Sequence, residues 1–380
     1  APVDGTPGIG SAFKSTYAAW ISATQPAGTY TGKVRYTLVH PANHVAPVPV
    51  SKNLYYAITG QANNYTLTIS DSDITSGAVA GGPVNVNGYS SYSRIPWYSN
   101  RTQIKSVAVN GTVAPTSTAY WFYGLENCDS WNLTGLKTDN VTNMSYMFTD
   151  AGSNATTFNL DLSSWNTAKV TNMNSMFLRA GYNATTWSVG DLSNWNTASV
   201  TNMSSMFNHA GYSATTWSVG DLSSWDTAKV TNMNSMFLRA GYNATTWSVG
   251  DLSSWNTGSV TTMDSMFSGA GYNATTWSVG DLSSWDTASV TSMGYMFYYA
   301  GYSATTFSLD LSSWNTASVT TMSDMFYSAG RNATTWSVII PQTNNGTTTG
   351  SISNTTSRMY GSTSSTYVAP PSGRSFTIGS

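Results

Sequence analysis

The 380-residue sequence predicts a mainly β fold: a capped, parallel β-solenoid with short helical turns, preceded by a small α+β or β-sandwich-like N-terminal domain. Three observations carry that expectation. A Met-Phe pair recurs at Met147-Phe148, Met176-Phe177, Met206-Phe207, Met236-Phe237, Met266-Phe267, Met296-Phe297 and Met325-Phe326, at intervals of 29, 30, 30, 30, 30 and 29. A Trp keeps step with it at Trp165, Trp195, Trp225, Trp255, Trp285 and Trp314. The stretch TNMNSMFLRAGYNATTWSVGDLS occurs twice without a change, at Thr171–Ser193 and Thr231–Ser253. Seven units of one length predict one stack of coils, because a lone coil cannot cover its own apolar edge.

Within a unit, two apolar parts have different periods. In TTFNLDLSSW, Phe158, Leu160 and Leu162 alternate with Asn159 and Asp161, the signature of a half-buried strand. In VTNMNSMF, Val170, Met173, Met176 and Phe177 fall at three- and four-residue spacing, which predicts a turn or two of α- or 3₁₀-helix. The connecting SSWNTA and AGYNATT are rich in residues that tolerate turns and bond their own backbone. Central units read WSVGDL where the end units read FNLDL and FSLDL. The extra Gly190, Gly220, Gly250 and Gly280 predict a bulge that returns Leu192 and its equivalents to the inner face.

The rest of the chain divides around this array, residues 135–340. Residues 1–90 read as the N-terminal domain, with a helix over Ser11–Ser22 and strands in YTGKVRYTLV, NLYYAIT and NYTLTIS. The Pro-containing stretch from His40 to Val50 is expected to be a loop or extended segment. Residues 91–134, with IKSVAV and TAYWFYGL, are expected to cap the first coil. Residues 341–380 begin as a Ser/Thr/Gly-rich linker and end in an alternation through Phe376 and Ile378, suited to closing the far edge or pairing elsewhere.

Composition narrows the function. Charged residues are 8% of the chain, against about 25% in a typical soluble domain. Seven Lys and eight Arg are scattered singly at a net charge of −2, which gives no footprint for nucleic acid or an anionic bilayer. No apolar run approaches the ~20 residues of a membrane span, so no membrane insertion is expected within this chain. Ala1-Pro2-Val3-Asp4 has neither a basic region nor an apolar stretch and reads as the start left after a secretion signal is removed. The single Cys128 excludes an internal disulfide framework.

Catalytic groups are scarce: one Glu, Glu126, three His and one Cys, so no enzymatic activity and no cofactor is expected. His40 and His44 have the spacing of helical zinc ligands, but Pro41 argues for a loop and no metal site is expected. His209 stands where other units have Arg179, Arg239, Gly, Tyr or Ser, and reads as surface variation. Asp161, Asp191, Asp221, Asp251, Asp281 and Asp310 form a column of carboxylates. Calcium binding is one reading of it; the preferred one is structural, each Asp accepting from nearby Ser or backbone amides, because no Asp-x-Asp cluster accompanies it. The Trp165-to-Trp314 column is expected to pack in the core. The column Tyr182, Tyr212, Tyr242, Tyr272 and Tyr302 sits in a polar turn and is either packing or a stacking surface for sugars. The polar strand face bearing Asn159 and Ser188 is a second candidate surface. Asn154, Asn183, Asn243, Asn273 and Asn332 open Asn-x-Thr acceptor patterns for glycosylation at the same turn.

The order Trp, Asn/Asp-Thr, Val-Thr, Met, Met-Phe in DLSSWNTxxVTNMSxMF resembles the BspA-like leucine-rich-repeat surface proteins of bacteria and some protozoa, over roughly Tyr120 to Val338. The chain differs in its AGYNATT turn, which is longer than the Cys-containing turns common in that family. The resemblance implies a leucine-rich-repeat type of solenoid and a secreted, surface-displayed role, often in adhesion and usually without catalysis. The expected partner is a protein or glycan on another surface; the alternative is a structural protein that assembles with copies of itself into a surface layer or filament.

Overall fold

The computed structural model describes residues 48–341 and, beyond them, 343–344, 347–348, 359–360, 367–368 and 370–379. The chain divides into two compact units, Ala1–Ala46 and Pro47–Ser380, and every described residue belongs to the second. The helix expected over Ser11–Ser22, the strand in YTGKVRYTLV and the pair His40 and His44 lie outside the described residues.

Alternation builds the first sheet. In β1 (Leu54–Gln61) and β2 (Asn64–Ser70), Leu54, Tyr56, Ile58, Leu67 and Ile69 are buried, and a tight turn with Asn63 at φ 65° joins the two antiparallel strands. β3 (Ala80–Val84) lies along the other side of β1 as an edge strand, where Pro83 has no ladder amide to lose. On the far side β2 pairs in parallel with β4 (Ile104–Asn110), and β4 with β5 (Ser130–Asn132), giving the order β3-β1-β2-β4-β5. The domain boundary expected at residue 90 therefore falls inside one sheet. The parallel β2–β4 ladder, Thr66 opposite Ser106 through Ser70 opposite Asn110, joins the two sides.

The second part is mainly β with almost no helix, and its strands recur about every 30 residues. They are β6 (Thr157–Asn159), β7 (Thr186–Ser188), β8 (Thr216–Ser218), β9 (Thr246–Ser248), β10 (Thr276–Ser278), β11 (Thr306–Asp310) and β12 (Thr335–Ile340). Pairing is parallel and in strict register: Phe158 beside Trp187, Trp187 beside Trp217, Trp247 beside Trp277. The sheets are small and open: β6-β7-β8, β9-β10, and β11-β12 with β17 (Thr377–Ile378). Two further two-residue pairs, β13 (Thr343–Asn344) with β14 (Thr347–Thr348) and β15 (Met359–Tyr360) with β16 (Tyr367–Val368), are antiparallel.

The helical turn expected in VTNMNSMF does not form. Among the described residues the only helical pieces are short 3₁₀ turns at Tyr92–Arg94, Tyr98–Gln103 and Leu252–Ser254. The Met-Phe segment is instead a ribbon of successive turns. Amides of Met176, Leu178 and Ala180 bond three residues back, to Met173, Ser175 and Phe177, whereas those of Met173, Ser175, Phe177 and Arg179 reach Asn202, Ser204, Met206 and Asn208 in the next coil. Left-handed residues at Ser175, Arg179 and Gly181, with φ 53°, 57° and 55°, interrupt any helix and turn alternate amides outward. The three- and four-residue apolar spacing survives because one face of the ribbon is buried, as one face of a helix would be.

Polar side chains serve the same backbone. Asp161, Asn166 and Asn172 each accept from the amide two residues ahead, at Ser163, Ala168 and Asn174, so the Asp, Asn-Thr and Asn of the repeat are turn caps. The buried hydroxyls of Thr167, Thr197, Thr227, Thr257 and Thr287 donate to carbonyls of the next coil. The exposed Thr171, Thr201, Thr231, Thr261 and Thr291 donate through both amide and hydroxyl to one carbonyl of the preceding coil. A buried backbone donor or acceptor left alone costs about 1–3 kcal/mol, which accounts for the buried Thr167 column and for the Asn caps without any need of charge.

The interior is a set of columns. Val170, Met173, Met176, Phe177, Val189 and Leu192 are fully buried, as are their equivalents. Phe148 through Phe326 stack rank on rank, with Phe177 5.4 Å from Phe207. At Gly190, φ is 80° and an added Cβ would lie 2.7 Å from the Asp161 carboxylate, so the extra residue is a left-handed kink that leaves Leu192 inside.

The segment expected to cap the stack is a coil in its own right. Amides of Thr118, Tyr120, Phe122 and Gly124 bond to Asn143, Ser145, Met147 and Thr149 in the alternating pattern of the repeats. Trp121-Phe122 takes the place of Met-Phe, and Trp131 that of Phe158. The far end is met by Phe376, which packs on Phe326 and Trp336, and by the bond from Gly379 N to the Ile340 carbonyl.

Candidate recognition surface

The turn edge is built on one glycine per coil. At Gly181 φ is 55°, and a Cβ there would lie 2.5 Å from Phe158 Cβ and 2.7 Å from Trp187 Cδ1. Only glycine lets the chain cross the strand-side aromatic column, and the next residue is thereby turned outward. That residue is the tyrosine. Gly181 and Ala184 close the turn, and the Asn183 amide ties it to Ser153 in the preceding coil.

Repeated with the coil, the turn brings Tyr182, Tyr212, Tyr242, Tyr272 and Tyr302 into one ladder. Successive ring centroids are 4.8, 4.7, 4.5 and 4.5 Å apart, with planes within 17° of parallel. All five are half-buried. Burial, then the neighbouring Tyr272 and Tyr212, push the Tyr242 hydroxyl up to about 12, so it stays a neutral donor and acceptor.

A second row lies over the ladder: Asp150, Arg179, His209, Arg239, Gly269, Tyr299 and Ser328, all left-handed with φ between 51° and 63°. Arg179 Nε donates to Asp150 Oδ1 at 2.8 Å, and its guanidinium lies 4.8 Å over the Tyr182 ring. His209 is no loose surface variant. It is half-buried, 6.1 Å from Tyr182 and 5.7 Å from Tyr212 by ring centroids, and burial, then Arg239 and Arg179, lower its pKa to about 4. Tyr299 packs 5.7 Å from both Tyr272 and Tyr302, beside Tyr298 and the exposed Tyr295 and Tyr327. This aromatic patch sits outside the repeated motif. Its one sequence signal is a position that varies where its neighbours do not.

The other expected site residues are placed as follows. Trp165, Trp195, Trp225, Trp255, Trp285 and Trp314 are interior, stacked within 2° of parallel, and from Trp195 onward each Nε1 donates to the Leu carbonyl of the preceding coil, as Trp225 does to Leu192 at 3.0 Å. A second column, Trp187, Trp217, Trp247 and Trp277 between Phe158 and Phe307, is equally buried. Asp161, Asp191, Asp221, Asp251, Asp281 and Asp310 accept from Ser163, Ser193, Ser223, Ser253, Ser283 and Ser312 amides. The Ser163 hydroxyl holds the Asp161 carboxyl below its usual range, and the Ser253 amide does so for Asp251. Among the described residues no three His, Cys, Asp or Glu gather as a metal set would.

Asn154, Asn183, Asn273 and Asn332 are exposed beside the ladder and Asn243 is half-buried, accepting at Oδ1 from Asn273 Nδ2 at 2.7 Å. Thr157, Asn159 and their equivalents make a flat, short polar face on the strands. A cleft of ≈ 510 Å³ lined by Trp131, Lys137, Asp139 and Asp161 opens where the irregular first coil meets the regular ones. Cys128 is buried and its thiol is pushed up by that burial. No helix among the described residues is long and apolar enough to cross a membrane.

The family model described as "Mycoplasma protein of unknown function, DUF285" matches the chain three times, over residues 111–212, 181–271 and 242–339. The first match begins at the irregular coil and the last ends in β12. No curated protein and no solved structure matches the chain.

Proposed function

The chain belongs to that family, and from this premise we propose that it is an extracellular recognition protein, displayed on a surface, that binds a glycan or protein of a host, matrix or neighbouring cell without catalysing a reaction. We further propose that the repeats are BspA-like and that the stack is a capped solenoid of leucine-rich-repeat type. One observation carries the functional reading: five tyrosines stack at 4.5–4.8 Å along a half-exposed edge of the repeats. The rings cover each other's faces, so the ladder presents a continuous apolar rim edged by neutral hydroxyls, a surface for sugars and polar protein loops to lie along. Salt screens such contacts little.

The test is a glycan and matrix-protein binding screen at low and high salt, with Tyr212→Ala, Tyr242→Ala and Tyr272→Ala combined. A partner held at both salt concentrations and lost in the triple variant, with the melting transition retained, supports the reading. Binding unchanged by the triple variant contradicts it. Self-assembly into a layer or filament is the second reading. It is favoured by the last full strand, where among the described residues only Ile339 and Ile340 of β12 are paired on the outer side. Concentration-dependent light scattering of the pure chain separates the two.

A further inference from the structure

We propose that the break at Gly269 in the row over the tyrosine ladder is a binding subsite for a sugar that carries a carboxylate, such as a uronic or sialic acid; the proposal rests on the glycan reading above. Three members of the row put a side chain on the ladder: Arg179 over Tyr182, His209 beside Tyr182 and Tyr212, and Tyr299 beside Tyr272 and Tyr302. Gly269 puts none. Its place over Tyr242 and Tyr272 is an open cleft of ≈ 280 Å³, lined by those two rings, Arg239, Tyr298, Tyr299 and the buried Ser268.

Backbone geometry does not demand this glycine. Its φ of 63° is close to the 55°, 51° and 55° of His209, Arg239 and Tyr299, which bear side chains in the same conformation. An added Cβ would meet Arg239 Cγ at 2.9 Å, a flexible side chain rather than backbone. The gap is thus a feature of the sequence at this one rank.

The lining selects the ligand. The volume is at the lower limit of small-molecule pockets, enough for one ring and not for an extended chain. The tyrosine rims offer an apolar wall for a pyranose to lie along, and their hydroxyl oxygens accept from its own hydroxyls. Arg239 supplies the charge: it is exposed, and the only ion pair among the described residues is that of Arg179 with Asp150. An unpaired planar guanidinium at the wall of an aromatic cleft matches a carboxylate on that ring.

The probes are glucuronate and glucose, which differ by a carboxylate against a hydroxymethyl group, titrated into the full chain and followed by ligand-observed NMR. Glucuronate is expected to bind about tenfold more tightly than glucose, the preference shrinking with salt, as one charge-assisted pair allows. Arg239→Gln should bring glucuronate down to the level of glucose. Gly269→Tyr, which installs the residue of the next rank, should abolish both. A glucuronate preference untouched by Arg239→Gln overturns the proposal, as does binding that survives Gly269→Tyr. If neither sugar binds while the wider screen finds a partner dependent on the other tyrosines, this subsite falls and the recognition reading stands. If the screen is also empty and the pure chain polymerises, both fall.

Discussion

The Trp165 column and the row that begins at Asp150 occupy equally regular backbone, yet the first keeps one residue through six successive coils and the second changes residue at every step. The difference follows the partners. From Trp195 onward each indole is 2% exposed and donates to a fixed Leu carbonyl, which also accepts the amide of the Trp in its own coil, so any other residue leaves a hole and takes away one of that oxygen's two donors. The edge residues rest on a ladder that accepts Arg, His, Tyr or nothing. Between these extremes stands the Trp187 column. It is buried too, but only its end members Trp187 and Trp336 donate from Nε1, to Ala180 and Ala329; Trp217, Trp247 and Trp277 have no partner, and the same column holds Phe158 and Phe307. Of the two buried tryptophan columns, the one with a bond in nearly every rank is the one that admits no Phe.

The largest effect should therefore separate the two tryptophan columns. Trp225→Phe removes the bond to the Leu192 carbonyl at 3.0 Å and opens a small cavity, an expected loss of about 2–4 kcal/mol. Trp247→Phe also loses volume but removes a donor without a partner, for a net change of about 1 kcal/mol or less. Denaturant unfolding of the two variants measures the gap, and equal losses would break the argument from hydrogen bonding.

At the edge, His209 gives a smaller, pH-dependent effect. Its folded pKa of about 4 lies below the ordinary 6.5, so the unfolded chain takes up the proton first. Stability should be full above pH 6.5 and fall as pH drops toward 4, by about 1 kcal/mol once solvent screening of a partly exposed group is allowed for. Thermal melts between pH 7 and 4 should show this slope, and His209→Tyr should remove it. The carboxyls of Asp161 and Asp251, held low, contribute stability that is lost only below the ordinary carboxylate range, so the two windows do not overlap.

The smallest effect is expected for the caps. Asp221→Ala gives up the bond from the Ser223 amide at 2.9 Å in an exposed turn, an expected cost of about 0.5–1 kcal/mol. A chelator should leave the melting temperature of the parent unchanged. A drop of many degrees on chelation would make the aspartate column a cation site and erase the distinction between caps and ligands.

Much of this was legible in the residues because each coil repeats the same choices. Alternation in TTFNLDL gives the strand, the interval gives the coil, and an Asp, Asn or Asn-Thr at turn positions gives the caps. The helix expected in VTNMNSMF fails because apolar spacing reports a buried face without reporting which amides leave the segment, and left-handed Ser175 and Arg179 carry no special residue type. The first coil was hidden by Trp121-Phe122 standing for Met-Phe. The domain boundary at residue 90 was misplaced because a parallel β2–β4 pairing leaves no local mark. At the edge, the tyrosine ladder was visible as a column. The cleft at Gly269 was not, since it exists only where Arg239, Tyr298 and Tyr299 from adjacent ranks close around it.

The central claim is that the coil is the unit of both fold and edge, and excision tests it most directly. Removing Asn196–Trp225 joins Trp195 to Asp226, equivalent positions one coil apart, and keeps every column in register. Removing Gly211–Trp225 instead joins the Met-Phe ribbon directly to the Asp-Thr turn and throws the following coils out of step. Circular dichroism and thermal melting of the two shortened chains should give, for the first, a cooperative transition within a few degrees of the parent and, for the second, a chain that does not fold. Equal damage in both, or a folded product only from the shorter excision, would contradict the account.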